Sequence, residues 1–121
     1  MFFCVPLTSL CLLFAPVATD GDTIRDGALR VRLWGIDAPE LKTEAGPASR
    51  TALAEMIAGR VLVCQHRETD VYRRSVSTCA PLWGGADLAC AMVAAGQAAD
   101  WPKYSRGFYA ACASAPEAAT S

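Results

Sequence analysis

Apolar and polar positions alternate most regularly at Leu29-Arg30-Val31-Arg32-Leu33, where the period of two predicts a strand with one buried face. Thr23-Ile24-Arg25 is a short extended run before it, and Asp26-Gly27 between them is a two-residue hairpin signal. Asp20-Gly21 marks an earlier turn, and Phe14 to Thr19 is read as the strand that leads into it. Pro39 should end pairing after the Leu29 strand, because proline donates nothing to a ladder. Leu41 to Gly46 is a polar loop. Pro47 suits the first turn of a helix, on which Ala48, Ala52, Leu53, Met56 and Ile57 recur at steps of three and four, and Gly59 stops it. Arg60 to Gln65 and Ser75 to Leu82 are apolar, β-branched strands around a charged loop at Glu68 to Arg73. Gly84-Gly85 turns the chain, Asp87 caps a helix over Leu88 to Ala95, and a last helix is expected over Ser105 to Ala113.

The order β-β-β-α-β-β-α predicts an α+β fold, a five-stranded Greek-key barrel of the OB type with two to three helices. At 121 residues and 53% hydrophobic the chain is one domain with a real core. Residues 1–14 are read as an apolar N-terminal segment, 15–115 as the folded unit and 116–121 as a disordered tail. Met1 to Val17 has the apolarity of a secretory h-region but no basic residue before it, and at about 17 residues with two prolines it is short of the ~20 that a membrane span takes. We read it as an export signal or weak membrane anchor running into the first strand. Net charge is −1, so a polyanionic partner would have to be met by a local positive field.

The chemistry concentrates in three short stretches. In TDGDTI, Asp22 lies just past a turn; in RLWGIDAPE, Asp37 lies beyond the strand carrying Arg32. If the Asp26-Gly27 hairpin pairs these segments, both carboxylates reach one rim of the sheet. Two carboxylates with a backbone carbonyl are hard oxygen donors, suited to calcium or magnesium. Arg32 offers a rigid fork that matches phosphate, and Glu40 could take a proton from a metal-associated water. In DVYRR, Arg74 could complete a clamp on a phosphoryl group, and Tyr72 could pack on a sugar or base. Each residue alone also fits a solvated turn or surface ion pair.

Taken together, TDGDTI, RLWGIDAPE and DVYRR resemble the thermonuclease (staphylococcal nuclease-like) family from about Val17 to Gly96, and more weakly through Asp100-Trp-Pro-Lys-Tyr-Ser. The resemblance implies an OB-fold barrel and calcium-dependent hydrolysis of DNA and RNA by a monomer that needs no protein partner. It implies Asp22, Asp37 and the carbonyl of Ala38 as metal ligands, Glu40 as general base, Arg32 and Arg74 on the phosphate, and Tyr72 at the nucleotide. Its exported members make a periplasmic, secreted or membrane-anchored location the expectation, and a Cys64–Cys79 bridge looks familiar from them. Cys90 and Cys112, on two predicted helices, could also pair. The chain departs from the family where Arg73 stands in place of a glycine and Val71 in place of a common basic residue, so a catalytically impaired OB module that binds single strands or a protein is the alternative. His66 is read as structural, and Trp34, Trp83 and Trp101 as core or rim packing.

Overall fold

The structure, a computed structural model, describes residues 1–113. The tail expected at 116–121 and the last two residues of the 15–115 unit lie outside the described residues. Three strands form a meander: β3 (Val17–Asp20), β4 (Thr23–Asp26) and β5 (Leu29–Leu33). The β4–β5 turn is made at Gly27, whose φ of +61° is the left-handed conformation that a tight hairpin asks for. The period of two on β5 is realised, with Val31 and Leu33 in the core and Arg30 exposed. Helix α1 (Gly46–Ile57) follows, with Pro47 in its first turn and Leu53 and Ile57 buried. Burying each such side chain contributes roughly 1.5–3 kcal/mol.

Strands β7 (Leu62–Thr69) and β8 (Ser75–Pro81) then pair antiparallel, and β8 joins β5 in parallel. Strand β7 thus runs four residues past Gln65 and takes Glu68 and Thr69 from the charged loop expected at Glu68 to Arg73. A register shift at His66/Glu68 absorbs Arg67, and only residues 70–74 turn the chain. Asp87 caps α2 (Leu88–Ala94) by accepting from Ala89 N–H at 2.9 Å. The single helix expected over Ser105 to Ala113 is instead two short pieces, α3 (Pro102–Ser105) and α4 (Ala110–Ala113). Arg106 (φ +57°) and Gly107 (φ +85°) leave the right-handed region between them and break the helix.

The five expected strands are seven in one sheet. Residues 2–13 form a hairpin, β1 (Phe2–Val5) and β2 (Leu10–Leu13), that adds to the outer edge of β7. Leu13 is fully buried in the core, so this apolar segment is built into the sheet. Among the described residues no helix is long and apolar enough to cross a membrane. The sheet order is β1-β2-β7-β8-β5-β4-β3. A flat sheet would put β2 and β3 about 24 Å apart at about 4.8 Å per strand. Only residues 14–16 connect them, a reach of at most about 14 Å. The sheet must therefore curl until its two ends approach. The strand expected from Phe14 begins only at Val17, because Pro16 interrupts it, and the buried carboxylate of Asp26 accepts Ala15 N–H at 3.1 Å at this break.

A second, two-stranded ladder joins β6 (Ile36–Asp37) to β9 (Ala99–Asp100) and ties the segment after α2 to the end of RLWGIDAPE. Disulfides link Cys64–Cys79 and Cys90–Cys112, the pairs considered from the sequence, and also Cys4–Cys11.

Candidate active site

The turn at Asp20-Gly21 places Asp22. Asp20 Oδ1 accepts Asp22 N–H at 3.2 Å, and Gly21 packs so closely beneath α1 that a Cβ there would lie 1.8 Å from Ser49 Oγ and 2.8 Å from Ala38 Cβ. Only glycine lets the helix and the Ala38 loop close over this turn. Asp22 is buried. Its Oδ2 accepts Ala38 N–H at 2.9 Å and its Oδ1 accepts the Thr23 hydroxyl at 3.1 Å.

Arg32, on β5, is also largely covered. Its Nη1 donates to the carbonyls of Leu33 and Ile36 at 2.8 and 2.9 Å and lies 3.5 Å from Asp22 Oδ2. Its Nη2 lies 3.7 Å from Asp37 Oδ1, and the guanidinium sits over the Trp101 ring at 5.3 Å. Alternation on β6 buries Ile36 and turns Asp37 outward, with its side chain 63% exposed. Glu40 is 74% exposed and makes only a loose pair with Lys42 at 3.6 Å.

Arg74 reaches the same place from the β7–β8 turn. Asp70 shapes that turn: its Oδ1 accepts the N–H groups of Tyr72 and Arg74 at 2.9 and 2.8 Å, and its Oδ2 accepts Arg74 Nε–H at 2.7 Å. Burial alone would raise the Asp70 pKa, but these donors and the Arg74 charge together hold it below the ordinary carboxylate value. Arg74 Nη1 also donates to Thr23 Oγ1 at 3.3 Å.

Asp22, Arg32, Asp37, Ala38, Glu40 and Arg74 thus line one open cavity of about 520 Å³, joined by Asp20. Tyr72 does not line it. A second cavity of about 400 Å³ has Tyr72, Trp34, Trp101 and Tyr104 in its wall. Arg32 and Arg74 line both cavities, so the two guanidinium groups stand on the boundary between an acidic chamber and an aromatic one.

Burial pushes the Asp22 pKa up to about 6, with the neighbouring Asp20 carboxyl adding to the rise. The Arg32 guanidinium and the Ala38 N–H pull the other way without prevailing. Such a carboxylate is short of positive charge, and its oxygens are hard donors suited to calcium. Among the described residues no three acidic, histidine or cysteine side chains gather into a metal cage. Asp22, Asp37 and the Ala38 carbonyl would therefore leave much of a six- to eight-oxygen shell to water, an arrangement calcium tolerates.

Trp34 packs against the core and edge-on to Tyr109, as expected of a packing residue, but it also lines the aromatic cavity with Trp101, and Arg67 stacks on it at 3.9 Å. Trp83, expected in the core or rim, is 80% exposed next to the Gly84-Gly85 turn. Tyr104 and the anchoring role of Asp70 were missed. The only signals for them were the Asp100-Trp-Pro-Lys-Tyr-Ser stretch and a four-residue Asp-to-Arg spacing. His66 Nδ1 meets Ser75 Oγ at 2.6 Å, and Ser75 Oγ meets Ser77 Oγ at 2.8 Å, a local network of the β7–β8 ribbon.

Arg73 has φ +65°, so the turn does hold a left-handed residue at the position where the sequence resemblance leads us to expect glycine. That conformation costs a non-glycine residue about 1–2 kcal/mol, and the larger unfolded-state entropy of glycine returns about 0.4–1 kcal/mol of it. Arg73→Gly is therefore expected to stabilise the protein by about 0.8 kcal/mol. A higher urea midpoint at unchanged slope would show it; a lower midpoint would mean that the Arg73 side chain holds the turn.

A family model described as "Staphylococcal nuclease homologue" matches residues 30–120, which include Arg32, Asp37, Glu40 and Arg74; Asp22 precedes the matched stretch. Among curated proteins, "Protein ParB" of Escherichia coli is 39% identical over 74 residues, covering 58% of this chain and 40% of that protein. "Probable staphylococcal-like nuclease CAN2" of Oryza sativa subsp. japonica is 37% identical over 60 residues, covering 50% of this chain and 16% of that protein. The chain therefore spans less than half the length of either relative. The match runs from β5 through α1, β7 and β8, takes in the two arginines that build the cavity boundary, and shows that the chain belongs to the staphylococcal nuclease homologue family.

Proposed function

We propose that the protein is a calcium-dependent phosphodiesterase that hydrolyses DNA and RNA without discriminating the sugar. The observation that carries this reading is the position of Arg32 and Arg74 on the boundary of the acidic and aromatic cavities. A phosphodiester held there would meet N–H donors of both guanidinium groups beyond those that Arg32 Nη1 gives to Leu33 and Ile36 and Arg74 Nε gives to Asp70, the charge that suits a phosphoryl group gaining charge of its own. Asp22, Asp37 and the Ala38 carbonyl would hold calcium, which supplies positive charge to the phosphate and acidifies a nearby water. Glu40 is exposed and loosely paired, free to swing towards the attacking water and accept its proton. Asp70 keeps Arg74 aimed, and Tyr72, Trp101 and Tyr104 offer rings to the nucleoside beside the scissile bond.

The substrate would be a DNA or RNA strand, and a monomer suffices, since every group in the reading comes from one chain. Three disulfides favour an oxidising compartment, so we place the protein outside the cytosol, periplasmic, secreted or held weakly at a membrane by residues 1–17.

The test is cleavage of single-stranded DNA with calcium, with EGTA, and by Glu40→Gln. Removing calcium should abolish cleavage, and Glu40→Gln should lower kcat by about 10²–10⁴-fold with little change in KM. Binding without cleavage in all three arms would replace the enzyme with a nuclease-like binding module.

A further inference from the structure

The strand register places four cysteines in one row across four neighbouring strands: Cys4 opposite Cys11, Cys11 opposite Cys64, and Cys64 opposite Cys79. Directly opposed residues share a face of the sheet, so all four side chains project to the same side. The outer two strands are bridged Cys4–Cys11 and the inner two Cys64–Cys79, with Cα separations of 4.0 and 4.1 Å. Those short separations are those of non-hydrogen-bonded pairs, so the alternation of an antiparallel sheet makes Cys11–Cys64 a hydrogen-bonded pair, about 5.5 Å between Cα atoms. That spacing lies within the ordinary range for a disulfide. The unbridged gap is wider at Cβ than the two bridged ones, about 5.5 Å against the 3.5–4.5 Å of a disulfide, so a bridge forms there once β2 and β7 draw about 1 Å closer at this row.

Access differs sharply along the row. Cys64 and Cys79 are 2% exposed, out of reach of a dissolved thiol, whereas Cys4 and Cys11 are half-buried and Cys4 lies on the edge strand β1. From these observations we infer that the hairpin bridge Cys4–Cys11 is an entry site for small-molecule thiols, and that an attack there is passed along the row to the buried bridge beneath the Arg74 turn. An incoming thiolate adds to Cys4 Sγ, breaks the Cys4–Cys11 bond and releases the Cys11 thiolate. Cys11 then attacks Cys64 Sγ from the β2 side, and the Cys79 thiolate leaves on the β8 side and takes a proton from water. Attack and departure lie along the row, as exchange through a mixed disulfide requires. A second thiol frees Cys4 and carries the oxidation away as the small-molecule disulfide. The protein keeps a Cys11–Cys64 bridge and gains thiols at Cys4 and Cys79. The β7–β8 ribbon is then unstapled on the strands that carry residues 70–74, while β2 is stapled to β7.

The experiment is a disulfide map of Cys4→Ser. This substitution leaves the Cys11 thiol beside an intact inner bridge without any added reductant. After folding at pH 8, acid quench and alkylation, non-reducing digestion should show a Cys11–Cys64 cross-link and an alkylated Cys79. An alkylated Cys11 with only Cys64–Cys79 bridged would overturn the inference. As a second measurement, the wild type, with its hairpin bridge intact, and the Cys4→Ser/Cys11→Ser double variant, which lacks that bridge, are pulsed with dithiothreitol. Alkylatable Cys79 should appear at least tenfold more slowly in the double variant; equal rates would mean that the inner bridge opens on its own and would equally overturn the relay. Circular dichroism of both variants establishes that each is folded before it is mapped.

Discussion

Replacing Arg74 with alanine is expected to lower kcat on single-stranded DNA roughly 10³-fold, because a guanidinium aimed at a developing phosphoryl charge supplies about that much. The fold should survive. Asp70 Oδ1 still accepts the N–H groups of Tyr72 and Arg74, so the turn keeps two of its three bonds to that carboxylate. The lost ion pair is partly exposed, and its removal should cost no more than about 1–2 kcal/mol. Arg74→Lys keeps a charge but not the fork and should recover only a small part of the rate. Arg32 cannot be tested as cleanly. Its side chain satisfies two backbone carbonyls and stands beside the buried Asp22, so Arg32→Ala should destabilise by about 3–5 kcal/mol and confound any rate measured. A full kcat in folded Arg74→Ala would remove the phosphate clamp from the proposed function.

The contrast between these arginines shows what was legible in the sequence. Period two at residues 29–33 and the Asp26-Gly27 hairpin located β4 and β5, and Pro47 with Gly59 bounded α1 to within a residue or two, because these are local rules. The gathering of Asp22, Arg32, Asp37, Glu40 and Arg74 needed motifs as well as periodicity, since strand pairing brings them together from more than fifty residues of chain. What stayed hidden depended on pairing partners. Nothing local says that residues 2–13 add a hairpin to the edge of β7, or that Ile36–Asp37 pairs with Ala99–Asp100 and carries Trp101 onto Arg32. The helix expected after Ser105 failed for a local reason: alanine-rich propensity was outweighed by two left-handed residues, Arg106 and Gly107.

Asp22 gives the second large effect, in stability rather than rate. A carboxyl held at about 6 in the folded chain and at the ordinary 3.8 in the unfolded one favours folding when protonated. Without calcium, wild-type stability should therefore fall as pH rises from about 4 to above 6, by an amount on the order of 3 kcal/mol at about 1.4 kcal/mol per pH unit. Asp22→Asn cannot ionise. Its amide oxygen can still accept Ala38 N–H and its amide nitrogen can face Thr23 Oγ1, so the variant should show little slope over that range and be the more stable protein at pH 7 without calcium. Calcium should invert the order. It offsets the buried charge of the wild type, adding about 2.7 kcal/mol at a hundredfold excess over its dissociation constant, and should do little for the variant, which should also be inactive. Thermal melts of both proteins at pH 4 and 7, with calcium and with EGTA, separate the cases. If the wild type melts higher than Asp22→Asn at pH 7 in EGTA, Arg32 alone satisfies this carboxylate, and Asp22 has no shortfall of charge for a cation to fill.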